Sequence, residues 1–328
     1  MITSPQPDAS SKSGKLDIVI VNWNSGERLR HCLDALLASP EDVACIGKLI
    51  IVDNASTDGS AELHDFVNAL PLHIVSNQTN RGFAAACNQG AAMGRAGALL
   101  FLNPDVRICP GAVTKSVDFV FAEPRARIGA VGVKLIGDGG LTQRSCARFP
   151  TPWRLVAQSL FLDRLAPALV RPHFMLEWDH ETTREVDQVM GAFLMMPRSV
   201  FEKIGGFDER FFVYFEDVDL CLRLRQAGWS VMHMAEAKAI HEGQGTTRAI
   251  RDIRLFYSWR ARLLYAAKHF TLGGLILCVV ATLFLEPPIR IGATLARGSM
   301  KDARAVANAY RLLLRALTHL SFLGDRRR

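Results

Sequence analysis

The sequence predicts an α/β fold with a mostly parallel central sheet flanked by helices, and three observations support this prediction. The chain has 328 residues, 49% hydrophobic and 22% charged, which is a globular composition with enough length to bury a large core. Short apolar runs rich in Val, Ile and Leu alternate with stretches long enough for helices of about a dozen residues. The runs are residues 17–21, 48–52, 72–75 and 98–102. Such alternation is typical of a parallel sheet.

The first interval between these runs predicts the clearest helix. It reads GERLRHCLDALLAS from Gly26, and Leu29, Leu33, Leu36 and Leu37 fall on one face. Beyond about residue 125 the alternation loosens. There the strand-like VMGAFLMMP precedes a turn-rich GGFDERFF and a helix that begins near EDVDL. We therefore expect one mixed α/β domain over residues 16–250.

Acidic residues follow two of the predicted strands. In FLNPDV, a proline that cannot donate to a sheet ladder ends the strand, and Asp105 comes directly behind it. In LIIVDNASTDGS, Asp53 stands at the end of the second strand. Open α/β sheets bind ligands in the crevice beyond the carboxyl ends of their strands, so both carboxylates are candidate ligand contacts. A turn-forming role remains the alternative for Asp53.

A dinucleotide-dependent dehydrogenase is the first alternative function that this alternation of strands and helices suggests. The first strand is followed by NWNSGERL, which lacks the GxGxxG turn that brings backbone amides onto a pyrophosphate. The third strand leads instead into NRGFAAACNQG, where Asn80, Arg81 and Gly82 precede a helix. A helix N-terminus beside an arginine is suited to an anion, with ordinary turn chemistry as the alternative.

Three acids, Glu216, Asp217 and Asp219, begin the amphipathic helix in FEDVDLCLRLRQAGW. Complementarity to the helix dipole, about 0.3–1 kcal/mol per carboxylate, accounts for acids at this position in general. It does not account for the aromatic run FFVYF before them, which would line a cleft and exclude water from a buried base. Gly191, inside a strand-like run, indicates a bulge or a closely packed ligand.

The N-terminal residues and the cysteines exclude several classes of protein. Residues 1–15 are rich in Ser and Pro and lack an apolar core, which predicts a disordered tail and no signal peptide or membrane span there. We therefore expect the folded part to stay in the cytoplasm. Seven cysteines without a CxxC pair indicate reduced thiols, not a disulfide framework or a structural zinc site.

Basic residues concentrate toward the C-terminus. Residues 251–328 carry 14 Lys and Arg against 4 Asp and Glu, whereas residues 1–250 carry 25 against 28. The same segment contains the uncharged apolar run 270–285, which is shorter than the roughly 18 to 20 residues of a membrane-spanning helix.

This combination predicts a basic helical segment that lies on the surface of an anionic membrane leaflet. The bases expected near lipid phosphates are Arg260, Arg262, Lys268 and Arg290. A soluble helical cap, a protein partner and a homodimer contact are the alternatives. Nucleic acid is not expected, because the segment has neither interleaved aromatic residues nor a recognition motif.

Seven stretches, in order, resemble the family 2 glycosyltransferases and, within them, the rhamnosyltransferase-like branch. They are VIVNWNS, IIVDNASTDGS, NRGFAAACNQG, FLNPDV, MGAFLMMPR, GGFDERFFVYFEDVDLCLRLRQAGW and HEGQGT. The resemblance spans roughly residues 16–268. It implies a GT-A fold, a nucleotide-sugar donor, a divalent metal (Mg²⁺ or Mn²⁺) and inversion at the anomeric carbon.

The resemblance also implies roles for individual residues. Asp217 is expected to be the base that deprotonates the acceptor hydroxyl, and Asp105 and His241 are expected to hold the metal. The family's first acidic metal position is Asn103 here, as in rhamnosyltransferase-like members. The expected donor contacts are Asn24, Asp53, Asn80, Arg81, Gly82 and Asp105. The expected acceptor-side residues are Arg148, Gly191, Glu216 and Asp219.

The leading expectation is thus an inverting, metal-dependent transferase that moves rhamnose or another deoxyhexose from a dTDP or UDP donor. The acceptor would be a saccharide or lipid-linked saccharide at the cytoplasmic face of the inner membrane. Two alternatives stay open. A nucleotidyltransferase would need a Gly-rich loop with a lysine after the first strand, which NWNSGERL does not supply. A non-catalytic nucleotide-sugar binding protein would not need to retain EDVDL and HEGQG.

Overall fold

The computed structural model of the chain describes residues 16–122, 127–137, 139–166, 170–243 and 251–318. The tail predicted at residues 1–15 and the last three residues of HEGQGT lie outside the described residues. The strands are β1 Leu16–Asn22, β2 Ile46–Asp53, β3 Leu72–Ser76, β4 Ala98–Leu102, β5 Val106–Ile108, β6 Ile128–Ile136, β7 Cys146–Ala147, β8 Arg184–Val186, β9 Gln188–Val189, β10 Phe193–Pro197 and β11 Ser230–His241.

Helices connect and follow these strands. They are α1 Arg28–Leu37, α2 Pro40–Cys45, α3 Phe83–Met93, α4 Ala112–Ala122, α5 Pro152–Ser159, α6 Leu162–Leu165, α7 Arg198–Ile204, α8 Glu216–Gln226, α9 Arg251–His269, α10 Leu272–Val280, α11 Glu286–Ala296 and α12 Met300–Thr318. A 3₁₀ turn at His64–Phe66 follows β2, and a π-helical turn at Ala281–Leu285 joins α10 to α11.

The central sheet has the predicted α/β character. Its strand order is β3-β2-β1-β4-β10-β6-β11-β5, with β8 paired to β11. The four predicted strands are β1 to β4, and they pair in parallel, as do β6 and β11. The sheet is not parallel throughout, because β10 pairs antiparallel with β4 and β5 pairs antiparallel with β11. The prediction of a mostly parallel sheet flanked by helices is confirmed.

Helices cover both faces of the sheet. Alternate residues of β1 point to opposite sides, so Ile18 and Ile20 pack with Leu29 of α1, whereas Val19 and Val21 pack on the side of α3, α7 and α8. The predicted strand VMGAFLMMP is interrupted, since Gly191 lies in the connection between β9 and β10. This break lets β9 pair with β7 while β10 continues the central sheet.

The C-terminal helices pack onto the α/β part of the chain. In α9, Ala261, Leu264 and Tyr265 share a buried cluster with Phe211 and Val218, which lie just before and within α8. On its other side α9 buries Trp259 and Leu263 against α12. The helix that carries the acidic cluster is therefore backed directly by the C-terminal segment.

The apolar stretch predicted at residues 270–285 belongs to a longer helix. Helical structure continues through the π turn and α11, so that Leu272–Ala296 forms a helix of 25 residues. Among the described residues, this one helix is long and apolar enough by length and composition to cross a membrane. The expectation that the stretch is too short to span was wrong, because helical structure does not end at Leu285: the π turn leads directly into α11, which includes Pro287 and Pro288.

Two of the bases expected near lipid phosphates are held inside the protein. Arg262 is 4% exposed and forms an ion pair with Glu286, and Lys268 forms ion pairs with Asp208 and Asp219. The expectation was therefore wrong for these two side chains, because their partners are carboxylates of the same chain.

Candidate functional site

The carboxyl ends of β1, β2, β3 and β4 meet at one edge of the sheet, since these strands run in parallel. Asn22 is paired in register with Asp53, and the Asp53 carboxylate accepts a hydrogen bond of 2.9 Å from the Asn22 amide. The Asp53 carboxylate also accepts from the Ser56 backbone N–H at 3.2 Å. Two hydrogen bonds leave part of the carboxylate's acceptor capacity for a ligand.

The loop after β1 is tied to the loop after β2. The Asn24 side-chain carbonyl accepts a hydrogen bond of 2.8 Å from the backbone N–H of Thr57, and Asn24 itself has a left-handed backbone, with φ of 49°. The Asp58 carboxylate accepts from the backbone N–H of Gly26 at 2.8 Å. These contacts place Asn24 at the same crevice as Asp53.

Residues 80–82 form the N-terminal edge of α3 at this crevice. The Asn80 side chain accepts from the Gly82 N–H at 2.9 Å, and Arg81 donates to Gln89 at 3.2 Å. Gly82 has φ of +86°, and a Cβ there would lie 2.6 Å from the carbonyl oxygen of Phe212. The glycine is therefore required by the close approach of the segment before α8, whether or not a ligand also approaches it.

Asp105 and His241 are brought together by an antiparallel strand pair. The turn after β4 leads into β5, and β5 pairs with the end of β11 so that Val106 lies opposite His241. His241 Nε2 is consequently 3.6 Å from Asp105 Oδ1, with side chains only 9% and 13% exposed. This distance is too long for a hydrogen bond.

Gln143 determines which imidazole nitrogen of His241 carries the hydrogen. The Gln143 side-chain N–H donates to the backbone carbonyl of His241 at 2.7 Å, and a carbonyl can only accept. The amide oxygen of Gln143 must then face His241 Nδ1, 3.0 Å away, so Nδ1–H is the donor. In the neutral ring, Nε2 therefore presents its lone pair toward the Asp105 carboxylate.

Two acceptor atoms that face each other in a buried position suit a shared cation. Two ligand atoms each about 2.1 Å from one Mg²⁺ ion can be at most about 4.2 Å apart, and the 3.6 Å separation falls within that limit. Among the described residues, no cluster of three or more His, Cys, Asp or Glu could hold a metal. Asp105 and His241 thus fit a divalent ion that completes its coordination with water and substrate phosphate oxygens.

Basic side chains lie next to this pair. Glu242 follows His241, and its carboxylate lies 3.4 Å from Arg28 and 4.0 Å from Arg107. Both guanidinium groups are partly exposed. Nothing in the sequence motifs singled out Arg28 or Arg107, but both add positive charge where a diphosphate would meet Asp105 and His241.

The Asp217 carboxylate is oriented at the start of α8. It accepts hydrogen bonds from the backbone N–H groups of Gly191 at 3.0 Å and Val218 at 2.8 Å. Burial raises the pKa of Asp217, while these bonds and one from the Gln188 side chain act in the opposite direction. The residue as a whole is partly buried.

A two-residue bridge connects Asp217 to the Asp105 turn. Gly191 donates to the Asp217 carboxylate, and the carbonyl of the next residue, Ala192, accepts from the Asn103 N–H at 2.9 Å. Asn103 begins the turn that carries Asp105. The candidate base is therefore linked to the turn of the candidate metal ligand through the backbone of residues 191 and 192.

Glu216 differs from its neighbour Asp217. It is 7% exposed, and its Oε2 has no hydrogen-bond partner among the described residues. Burial, followed by repulsion from Asp217, raises the pKa of Glu216 well above its usual range. Burial is the largest cause of the raised pKa at both carboxyls, and the hydrogen bonds to Asp217 oppose its shift more than the single backbone bond at Glu216 does.

The backbone before α8 adopts an uncommon conformation. Tyr214 and Phe215 both have left-handed φ angles, of 70° and 67°. Such residues cost roughly 1–3 kcal/mol each and persist where surrounding contacts fix them. Here α9 supplies contacts, since Phe212 stacks on Tyr257 at 4.7 Å and Arg254 donates to the Tyr214 hydroxyl.

Asp219 is placed away from the crevice. Its carboxylate is fully buried and bonded to Arg223 at 2.8 Å, His269 at 2.7 Å and Lys268 at 2.6 Å. Burial alone would raise the pKa of Asp219, but the bond from His269 and the two neighbouring charges hold the pKa below its usual value. These contacts fasten α8 to α9.

Arg148 is likewise occupied by the protein. Its guanidinium is largely buried, forms an ion pair with Glu177 and donates to the carbonyl of Pro172 at 3.3 Å.

Most of the sequence-predicted residues lie at or near the carboxyl ends of the strands, whereas Arg148 and Asp219 are held in ion pairs. The residues that sequence reasoning missed are Asn22, Arg28, Arg107, Gln143 and Gln188. Only Asn22 carried a signal, as a buried amide at the end of a strand.

Comparison with protein families and curated proteins gives consistent matches. A model described as glycosyl transferase family 2 matches residues 17–205, and one described as glycosyl transferase family group 2 matches residues 168–319. The N-acetylglucosaminyl-diphospho-decaprenol L-rhamnosyltransferase of Mycobacterium tuberculosis is 29% identical over 249 residues. That match covers 71% of this chain and 77% of the mycobacterial protein.

Solved structures match the fold at low identity. The mannosyltransferase PcManGT from Pyrobaculum calidifontis, in complex with GDP-Man and Mn²⁺, has a TM-score of 0.52 at 17% identity, covering 95% of this chain and 86% of that one. GalNAc-T7 with UDP, GalNAc and Mn²⁺ has a TM-score of 0.54 at 14% identity, covering 79% and 51%. At these identities the likeness concerns the fold alone.

Proposed function

Because the chain belongs to glycosyl transferase family 2 and has its GT-A fold, we propose that this glycosyltransferase is an inverting, metal-dependent enzyme of cell-surface polysaccharide synthesis. The observation that carries the proposal is the bridge through Gly191, Ala192 and Asn103, which connects the Asp217 carboxylate to the turn bearing Asp105. A base and a diphosphate-binding group must flank one reacting carbon in a direct displacement.

Asp217 acts as the general base. Its carboxylate removes the proton from the acceptor hydroxyl while that oxygen forms a bond to the anomeric carbon of the donor sugar. The bond from this carbon to the diphosphate breaks, the nucleoside diphosphate leaves with the electron pair, and the proton stays on Asp217. One displacement inverts the configuration at the anomeric carbon.

Asp105 and His241 are the residues that would hold the divalent ion, Mg²⁺ or Mn²⁺. When bound, the ion supplies positive charge that stabilises the leaving diphosphate. Gln143 keeps the His241 Nε2 lone pair available to it, and Arg28 and Arg107 add positive charge nearby. The solved neighbours PcManGT and GalNAc-T7, both with Mn²⁺, support this proposal by analogy of fold.

The nucleoside occupies the crevice beyond β1, β2 and β3. The Asp53 carboxylate accepts the imide N–H of a pyrimidine base, which fits either a dTDP or a UDP donor. Asn24 lies on the loops that follow β1 and β2. The segment Asn80, Arg81 and Gly82 binds the phosphates at the N-terminus of α3.

The best substrate pair is dTDP-rhamnose and a lipid-linked saccharide. Support comes from the mycobacterial relative, whose name specifies rhamnose transfer to N-acetylglucosaminyl-diphospho-decaprenol. A lipid-linked acceptor implies that the enzyme works at the cytoplasmic face of the inner membrane. Gly191 and Glu216 border the acceptor beside Asp217.

A transfer assay tests this function. Purified enzyme with Mn²⁺ and a synthetic N-acetylglucosaminyl-diphospho-polyprenol is offered dTDP-rhamnose, UDP-glucose, UDP-galactose or GDP-mannose, and the products are identified by mass spectrometry and NMR. We expect a product from dTDP-rhamnose with inverted anomeric configuration, and none after EDTA treatment. A retained configuration, or full activity in EDTA, would contradict the mechanism, and no transfer with any donor would favour a non-catalytic binding protein.

Gln143 provides a test of the metal site that does not depend on turnover. Replacing Gln143 with Leu removes the acceptor that fixes the His241 tautomer, and loss of such an outer partner typically lowers metal affinity about 10- to 100-fold. Mn²⁺ affinity is measured by electron paramagnetic resonance in the presence of dTDP. Gln143→Glu restores an acceptor for Nδ1–H and should recover most of the affinity. Equal Mn²⁺ affinity in wild type and Gln143→Leu would remove this role.

A further inference from the structure

The helix formed by α10, the π turn and α11 places Leu275, Cys278 and the carboxylate of Glu286 on its inner side, toward the protein, and exposes a second apolar side outward. Glu286 is 0% exposed and pairs with Arg262 of α9 and with Arg290 one turn on. Buried Thr282 and Thr294 lie on this inner side. We call the opposite, solvent-facing side the outer apolar face. It comprises the exposed side chains of Leu272, Ile276, Leu277, Val280, Phe284 and Ile289.

Helices on the surface of water-soluble proteins turn polar residues outward, whereas this helix exposes apolar side chains there. Phe284, at the middle of the outer apolar face, is 64% exposed. Contiguous exposed apolar surface of this kind marks an interaction site.

An exposed tryptophan lies at one end of the outer apolar face. Pro152 packs so tightly on α10 that a Cβ at Gly274 would lie 2.8 Å from its ring. The next residue, Trp153, is 55% exposed. An amphipathic indole beside an apolar surface is typical of the boundary between lipid and water.

The neighbouring helix α12 carries positive charge. Lys301, Arg304, Arg311 and Arg315 are exposed and recur at helical spacing, on the side opposite the buried Val306, Ala309 and Leu313. Between Leu272 and Thr318 the carboxylates are Glu286 and Asp302, and both are engaged in ion pairs with arginines. The outward charge of this region is therefore positive, which is complementary to anionic headgroups.

Packing decides whether this helix crosses a bilayer or lies along it. Val306, Ala309 and Leu313 of α12 share a cluster with Trp259 and Leu263 of α9, and Ile291 of α11 packs against it, so α12 lies along α11 and α9. If the long helix crossed the membrane, α12 would be carried into the hydrocarbon with its arginines exposed. Arginine is among the least favourable residues there, whereas a helix in the headgroup layer keeps its charged neighbours in water.

We propose that the outer apolar face docks in the plane of an anionic lipid leaflet, without crossing it. The exposed bases of α12, and not Arg262 or Lys268, provide the charge attraction. This inference rests on the proposed function, since a lipid-linked acceptor would be met at that surface. It also connects docking to the site, because α9 joins this helix to the segment that positions Asp217.

Vesicle flotation of the full chain tests the surface. The triple variant Ile276→Ser, Leu277→Ser and Phe284→Ser should lower partition onto phosphatidylglycerol-containing vesicles at least tenfold. A matched control replaces three exposed apolar residues elsewhere, Val67, Phe121 and Leu141, with Ser and should partition like wild type. Undiminished partition of the first variant would overturn the proposal. So would a wild-type dimer that this variant dissociates, because a second copy would then cover the face.

The charge contribution is tested separately. Lys301→Gln, Arg304→Gln and Arg311→Gln together should weaken binding to phosphatidylglycerol vesicles several-fold and remove most of its salt dependence. Binding to pure phosphatidylcholine vesicles should not change. An unaltered salt dependence would overturn the role of α12.

In-plane docking is distinguished from crossing by labelling with a membrane-impermeant maleimide. Lys301→Cys lies beyond the long helix, and Leu141→Cys is an exposed control in the α/β part. Added to sealed vesicles, both variants should label equally without detergent. Protection of Lys301→Cys until detergent is added would show crossing.

Donor affinity measured without vesicles should stay at the wild-type value in all these variants. Its loss would count against the fold or the proposed function, and not against the membrane-docking surface.

Discussion

Asp217→Asn is expected to lower kcat by about 10²- to 10⁴-fold while leaving donor affinity unchanged. General-base catalysis contributes a factor of this size, and an amide cannot take the proton from the acceptor hydroxyl. The Gly191 and Val218 N–H groups bond to different oxygens of Asp217, so the single asparagine oxygen can keep only one of these bonds. Unchanged donor affinity will therefore also show that the start of α8 keeps its conformation. Initial rates with saturating donor, together with calorimetric donor affinity, separate the two effects.

Glu216→Gln is the matched control. Because burial favours the neutral form of Glu216 and this residue is not the proposed base, Glu216→Gln should change kcat far less than Asp217→Asn does. If Glu216→Gln abolished transfer and Asp217→Asn did not, the base would be Glu216 and the assignment would be reversed.

The pH dependence has a definite sign. Asp217 must be ionised to act as a base, and burial raises its pKa above the ordinary aspartate value of about 3.9. The rate should therefore increase with pH through this raised pKa and be lost at pH values where a solvent-exposed aspartate would still be ionised. Glu216→Gln should preserve this acid limb. A rate that stays constant down to about pH 4 would contradict the assignment.

Much of the first half of the fold could be predicted from the sequence. β1, β2 and β4 are largely apolar runs because both faces of the sheet are covered by helices there, and such runs are visible without any partner. β3 is shorter and partly exposed at the sheet edge. The antiparallel insertion of β10 and the pairing of β5 with β11 could not be foreseen in the same way. β5 has three residues, and its register depends on a strand far away in the chain.

The candidate site likewise contains some residues that could be predicted from the sequence and others that could not. Asp53 and Asp105 were marked because each follows a predicted strand at the edge where open α/β sheets bind ligands, and Asp217 was marked by the family resemblance. Gln143 carried no signal, since its role exists only through the His241 ring it orients. Conversely, residue type alone could not reveal that Arg262 is paired inside the protein.

Asp105→Ala is expected to weaken metal-dependent donor binding at least about 100-fold, since loss of even an outer-shell partner costs 10- to 100-fold. The substitution removes the only carboxylate that faces His241 Nε2 among the described residues, and leaves one imidazole to hold the ion. The fold should tolerate it, because the site lies in a turn at the sheet edge. Asp118→Ala, an exposed carboxylate of α4, is the matched control and should bind donor like wild type.

The most direct test of the account is therefore calorimetric titration of wild type and Asp105→Ala with dTDP-rhamnose, UDP-glucose, UDP-galactose and GDP-mannose, each with and without Mn²⁺. The account predicts that wild type binds dTDP-rhamnose in preference to the others, that binding requires Mn²⁺, and that Asp105→Ala loses it. Equally tight donor binding without metal, or in Asp105→Ala, would contradict a metal-diphosphate site at the end of β4.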